Sequence, residues 1–306
     1  MVPLKVGLVG CGRLAERGWI PALRMAAAAG TAQIVAIAEP DADRREAAAR
    51  AAGVDLAFAD WRDLIAAGAA DALVLALGGR AQVEPATVAT AAGLAVLVEK
   101  PPGGDLDGAT ALARLRPSPA VGFSRRFDDA WRGLRAAARR AAPPHALELS
   151  LAYRRGGLDA HVVSDDALSD LGSHMADLAG WIAGGRVARA RCSVLKADSA
   201  AGELELDAGL GRVSFEVTQT QPYSELGRLA GSATEVRRGG WWRNALGRVG
   251  AGPDAGALSR SLHSELTAFA RRDEDLATAQ DGVRCHAVLE ALRASAARGE
   301  WMDVTA

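Results

Sequence analysis

A chain that has replaced nearly all its lysine with arginine draws attention to the lysines it keeps. Of 36 Lys plus Arg, lysine occurs only at Lys5, Lys100 and Lys196. Lys100 follows Leu94-Ala95-Val96-Leu97-Val98-Glu99, a short apolar run of the kind buried on both faces of a parallel sheet, and Pro101-Pro102 follow it. In open α/β sheets the carboxyl ends of the strands line the crevice where ligands bind. An amine there is a compact point charge whose pKa can shift, which a guanidinium cannot imitate. The alternative is a solvated charge at a strand end.

A second group of reactive types is Asp170, His174 and Asp177, spaced i, i+4 and i+7 within a predicted helix over 166–182. One helical face then carries two carboxylates flanking an imidazole, a set suited to proton transfer near neutral pH, and Gly172 allows close packing against it. The same types also suit a metal site or a structural polar network. The remaining histidines (His145, His161, His263, His286) show no ligand spacing, so no metal is expected.

The third motif is Gly10-Cys11-Gly12-Arg13-Leu14-Ala15, directly after the apolar strand at 4–10 and opening a helix. It is a G-x-G-x-x-A dinucleotide turn: Gly10 permits the tight bend, Gly12 lets backbone approach a pyrophosphate, and Ala15 permits close helix–strand packing. The second strand, 33–38, ends in Glu39, placed to accept hydrogen bonds from both adenosine ribose hydroxyls and to repel a 2′-phosphate. NAD is therefore favoured over NADP. Arg44 is placed to lie on the adenine face. Alternatively, Glu39 caps the helix starting near Asp41.

These residues require elements to hold them. Strand and helix patterns alternate up to the strand at 119–123, which predicts a doubly wound parallel sheet, a Rossmann domain over residues 1–121. An alanine- and arginine-rich helix follows and ends at Pro143-Pro144. From His145 the pattern becomes a strand, the helix at 166–182, several strands with no helices between them, two final helices and a short terminal strand. Residues 122–306 thus read as an α+β domain with a largely antiparallel, open-faced sheet. Its uncovered face, with alternating residues such as Val213, Phe215 and Val217, is expected to need a partner, giving a homodimer or homotetramer through this sheet.

Composition bounds the rest. At 49% hydrophobic and 24% charged, with a net charge of −1, the 306-residue chain reads as globular, with no nucleic-acid or membrane partner. Cys11, Cys192 and Cys285 are distant and odd in number, the amino terminus reads at once as a strand, and no apolar run would span a bilayer. A cytoplasmic protein is expected.

Taken together, the Gly10-to-Ala15 turn, Glu39, Glu99-Lys100-Pro101, Gly122-Phe123-Ser124-Arg125-Arg126-Phe127, the Asp170-to-His174 helix and Gly299-Glu300-Trp301 resemble the Gfo/Idh/MocA oxidoreductases, the glucose-fructose oxidoreductase and inositol dehydrogenase group. The resemblance implies a dehydrogenase or reductase moving hydride between NAD and a secondary alcohol or ketone of a sugar, sugar derivative or cyclitol. It implies that Lys100 and His174 meet across the nicotinamide: His174 moves the hydroxyl proton, Lys100 holds and polarises the reacting oxygen, and Asp170 orients the histidine. The cofactor set would be Gly10, Gly12, Arg13, Leu14, Glu39, Arg44, Leu77, Gly78, Glu99 and Lys100. Two other readings share the scaffold: a non-catalytic NAD-binding regulator, and a reductase of imine or unsaturated substrates.

The chain departs from the family at Leu77-Gly78-Gly79-Arg80-Ala81-Gln82, where Thr-Pro-x-x-x-His is common and Gln82 stands in the histidine's place. A more mobile, differently lined loop is the expectation. Arg125, Arg126, Tyr153, Arg154 and Arg155 are candidates to bind a phosphate or carboxylate on the substrate, or are solvated surface; Trp241-Trp242 suit either a sugar ring or a subunit interface.

Overall fold

The computed structural model describes residues 2–154, 166–239 and 255–305; Arg155, His161 and the Trp241-Trp242 pair lie outside them. The chain forms two compact units, one of residues 1–127 with 255–283 and the other of 128–254 with 284–306.

The first unit begins with β1 (Leu4–Val9), a π-helical turn over Ala15–Trp19, and α1 (Ile20–Ala28). It continues through β2 (Ala32–Ala38), α2 (Ala42–Ala52), β3 (Leu56–Phe58), α3 (Trp61–Ala66) and β4 (Ala72–Leu75). A 3₁₀ turn over Gly79–Gln82 leads into α4 (Val83–Ala91), followed by β5 (Ala95–Glu99), α5 (Leu106–Arg114) and β6 (Ala120–Gly122). The strands pair in parallel in the order β6-β5-β4-β1-β2-β3, the doubly wound sheet expected from the repeating pattern. All four residues of β4 are buried, as helices on both faces of the sheet require.

The second unit opens with α6 (Asp129–Arg140) and β7 (His145–Ala152). A second π-helical turn, Leu168–Gly172, runs into α7 (Ser173–Ala183), and β8 (Val187–Leu195), β9 (Ser199–Leu206), β10 (Gly211–Thr218), β11 (Ser224–Leu229) and β12 (Glu235–Gly239) follow. The chain then forms α8 (Ala255–Arg271), β13 (Ala277–Thr278), α9 (Ala279–Arg298) and β14 (Met302–Asp303).

The expectation that residues 122–306 form one domain does not hold at α8. Leu262, Leu266 and Phe269 of this helix belong to the buried cluster that contains Val6, Trp19, Leu23 and Ile37. A Cβ at Gly18 would stand 2.7 Å from Leu262, so the missing side chain is what admits the helix. Burying that apolar stripe places α8 in the first unit, and β13 then adds antiparallel to β6 at the sheet edge.

The second sheet runs β12-β11-β7-β10-β9-β8-β14 and is antiparallel except for the central β7–β10 pair, which is parallel in register from Gly211–His145 to Thr218–Ala152. Val213, Phe215 and Val217 are buried and stand opposite Leu147, Leu149 and Leu151. Gly227 lies opposite Leu149, and a Cβ on it would strike Trp131 and Leu134 of α6. The apolar face is thus the helix-covered one, and Val213, Phe215 and Val217 do not await a partner. The other face carries Glu148, Ser214, Glu216, Glu203 and Arg191, all exposed. Alternation distinguishes the two faces, while only the packing of α6 decides which is inward.

Candidate active site

The expected residues form two groups, each within its own unit. In the first unit, Gly10 has φ +87°, and a Cβ there would stand 2.8 Å from the Ala76 carbonyl oxygen and from Leu77, so the turn tolerates no side chain. A Cβ on Gly12 would meet nothing within 4 Å, which leaves the approach to the turn open for a pyrophosphate. Arg13, exposed, and Leu14, half-buried, lead into the π-helical turn. Leu77 and Gly78 come immediately after β4, beside this turn.

Glu39 is buried at the end of β2. Its Oε2 accepts from the Cys11 amide (2.8 Å), and its Oε1 accepts from the Asp41 amide (3.2 Å) and the Arg44 guanidinium (2.8 Å). Burial raises its pKa, but the Cys11 amide, the Arg44 guanidinium and the Asp41 amide outweigh it and hold the carboxyl below the usual range. Glu39 is not the cap of α2: the Asp41 carboxylate takes that place, accepting from the Arg44 amide at 2.9 Å. Arg44, expected over the adenine, is turned onto Glu39. Burial, then the Glu39 carboxylate, push the Cys11 thiol up to about 12.

At the end of β5, Glu99 points inward. Its carboxylate accepts from the Trp19 indole (2.7 Å) and the Lys100 amide (3.2 Å), and its pKa is raised because burial exceeds what the indole and Lys100 return. A carboxylate so engaged ties the fingerprint helix to β5. Lys100 itself is half-buried just beyond the strand. The departing segment is held closely. Gln82 is fully buried and bonded to the Leu77 and Glu99 carbonyls (2.8 and 2.9 Å) and to the Gly103 amide (3.0 Å), so the loosely held loop expected there is a stitched turn. Arg126 is buried in the 3₁₀ turn Ser124–Phe127, its guanidinium 3.9 Å from Asp281.

In the second unit the carboxyl ends of the parallel strands β7 and β10 deliver Tyr153 and Gln219. The Tyr153 hydroxyl (2.6 Å) and the Gln219 amide (3.1 Å) both donate to Oδ2 of Asp170. Asp170 lies in the π-helical turn, and His174, buried, in the first turn of α7. Arg154 is exposed and reaches the Thr220 carbonyl at 3.4 Å. Trp19, Gln82 and Gln219 escaped sequence reasoning as members of these networks, because each bonds a residue distant in sequence. A depression of about 820 Å³ in this unit lies on the polar face of the sheet, lined by Glu148, Ser150, Arg191, Glu203 and Ser214, away from Asp170 and His174. Among the described residues no group of three His, Cys, Asp or Glu side chains is placed to hold a metal ion, and no helix is long and apolar enough to cross a membrane.

Comparison with known proteins places this geometry. Residues 4–120 match the family model described as an oxidoreductase family with an NAD-binding Rossmann fold. The chain is 32% identical over 203 residues to an inositol 2-dehydrogenase of Corynebacterium glutamicum, a match spanning 65% of this chain and 59% of that protein. It is 35% identical over 190 residues to an inositol 2-dehydrogenase of Leifsonia xyli, spanning 60% and 55%. The chain thus spans less than two thirds of the length of these relatives. In structure it resembles a probable dehydrogenase from Thermotoga maritima (TM-score 0.83, 20% identity, 98% of this chain and 99% of that one). It also resembles scyllo-inositol dehydrogenase from Lactobacillus casei with bound NAD(H) and scyllo-inositol (TM-score 0.81, 18% identity, 99% and 100%). At these identities the structural likeness speaks for the fold. With the fingerprint turn, Glu39 and Glu99-Lys100-Pro101 all inside the matched segment, residues 4–120 are similar to the NAD-binding Rossmann unit of the Gfo/Idh/MocA oxidoreductases.

Proposed function

We propose that this chain is an NAD-dependent dehydrogenase or reductase acting on a secondary alcohol or ketone of a cyclitol or related sugar. The observation that carries the reading is Lys100. In a chain that uses arginine almost everywhere, a lysine stands at the mouth of β5, on a peptide fixed by Gln82 and Glu99, in the unit that holds the dinucleotide turn. The inositol 2-dehydrogenases to which the chain is similar supply the substrate class. Bound NAD would give or take the hydride. Lys100 holds and polarises the reacting oxygen, His174 moves the hydroxyl proton, and Asp170, fixed by Tyr153 and Gln219, orients the histidine. Glu39 favours NAD over NADP. Arg126, Tyr153 and Arg154 are candidates for substrate contact. The reading includes a cytoplasmic protein and a two-fold assembly through the polar face of the second sheet, where arginines and glutamates of both signs are interspersed.

Turnover of NAD(H) against myo-inositol, scyllo-inositol, other cyclitols and sugars tests it, followed by reduced-nicotinamide absorbance. Lys100→Met and His174→Ala should each lower turnover by roughly two to four orders of magnitude with NAD affinity little changed. Lys100→Arg should also fail. Near-wild-type turnover of Lys100→Met refutes the assignment. Tight NAD binding with no turnover across the panel points instead to an NAD-binding regulator.

A further inference from the structure

We propose that Gln82 is a positioning residue that sets the reach of Lys100 by fixing the peptide from which the lysine springs. The kinetic half of this inference rests on the proposed function, and the structural half does not. Both hydrogens of the Gln82 amide are used, one on the Leu77 carbonyl and one on the Glu99 carbonyl, while its oxygen accepts from the Gly103 amide. One side chain thereby joins the segment after β4, the end of β5 and the loop that leads to α5. The backbones of these loops are also close: a Cβ at Gly79 would lie 3.5 Å from the Gly104 Cα, and Arg80 pairs with Asp105.

The Glu99–Lys100 peptide is thus held at both of its polar atoms. Its carbonyl accepts from Gln82 at 2.9 Å, and its N–H donates to the Glu99 carboxylate at 3.2 Å. A planar unit gripped on opposite edges does not rotate, so the direction in which the Lys100 side chain leaves the backbone is set before any substrate arrives. A neutral histidine, the common residue here in the family, has one donor and one acceptor and cannot serve two carbonyls and an amide together. The two-donor amide is therefore a device of this chain.

The scarcity of lysine supplies the assay. After reductive methylation with ¹³C-formaldehyde the protein gives amine resonances from Lys5, Lys100, Lys196 and the amino terminus alone, and Lys100→Met identifies the one in question. Gln82→Met should displace the Lys100 resonance and its response to NAD, leaving Lys5 and Lys196 in place. In unlabelled protein, kcat should fall roughly ten- to a hundredfold while the NAD dissociation constant stays within about threefold. Gln82→His, which keeps a donor for the Glu99 carbonyl, should restore most of both. If Gln82→Met does not melt cooperatively, Gln82→Leu takes its place, since it too offers neither carbonyl a hydrogen, and the same displacement is expected. A Lys100 resonance at its wild-type position in either folded variant overturns the inference. A displaced resonance with unchanged kcat upholds it and instead sinks the catalytic role of Lys100.

Discussion

At the scale of single residues, the Glu39 carboxylate has two opposed neighbours. The Cys11 amide fixes it toward the dinucleotide turn, and Arg44 neutralises it from the solvent side. A 2′-phosphate would meet the carboxylate, but also an arginine able to turn. NAD should bind more tightly than NADP by on the order of 1 to 3 kcal/mol. Arg44→Ala should widen the gap by weakening NADP, and Glu39→Ser should narrow it by releasing Arg44 to the phosphate. Titration calorimetry with both cofactors decides the matter, and equal affinities in the wild type would refute the role of Glu39. The types and positions of Lys100, Glu39, Asp170 and His174 were readable because each sits at a strand end or on a helix with a strong local pattern. Their partners were not: Trp19, Gln82 and Gln219 reach sites 80, 17 and 49 positions away in sequence, and local spacing carries no information about such pairs.

At the scale of elements, the helix after the dinucleotide turn and the helix that carries His174 both begin with a π-helical turn, Ala15–Trp19 and Leu168–Gly172. Such turns widen the backbone and recur at functional sites, and a 3.6-residue pattern cannot reveal them. The first turn ends on Trp19, whose indole ties α1 to the buried Glu99 of β5. Because the folded Glu99 carboxyl is raised by burial, the folded chain binds this proton more tightly than the unfolded one. Its contribution to stability should therefore fall as pH rises from the ordinary carboxylate range toward the raised value. Thermal melts across that window should show the slope in the wild type and lose it in Glu99→Gln, whatever that variant's absolute Tm. A slope that persists in Glu99→Gln would assign it to another group. Strand and helix order was largely legible, since the parallel sheet needs continuous apolar strands and the second sheet alternating ones. The parallel β7–β10 pair was not, because pairing partners lie outside any local window.

At the scale of the whole molecule, the change of pattern at His145 suggested two domains, and two compact units exist, but the sequence offers no mark at 254/255 that the chain returns to the first. The buried face of α8 decides it. A fragment of residues 1–121 lacks Leu262, Leu266 and Phe269 and should not melt cooperatively, whereas residues 1–127 joined by a flexible linker to 255–283 should. Cooperative melting of the shorter fragment, followed by circular dichroism, would count against a core completed by α8. The same helix bears on how the protein is made. The dinucleotide turn is synthesised before α8, and Leu262, Leu266 and Phe269 of its core lie some 250 residues behind it. The intervening 128–254 segment alone takes on the order of six to twenty-five seconds to synthesise. Through that interval the apolar side of α1, with Leu23 and Ala26, has no α8 to cover it, so the nascent first unit should expose the kind of surface that chaperones bind until α8 arrives.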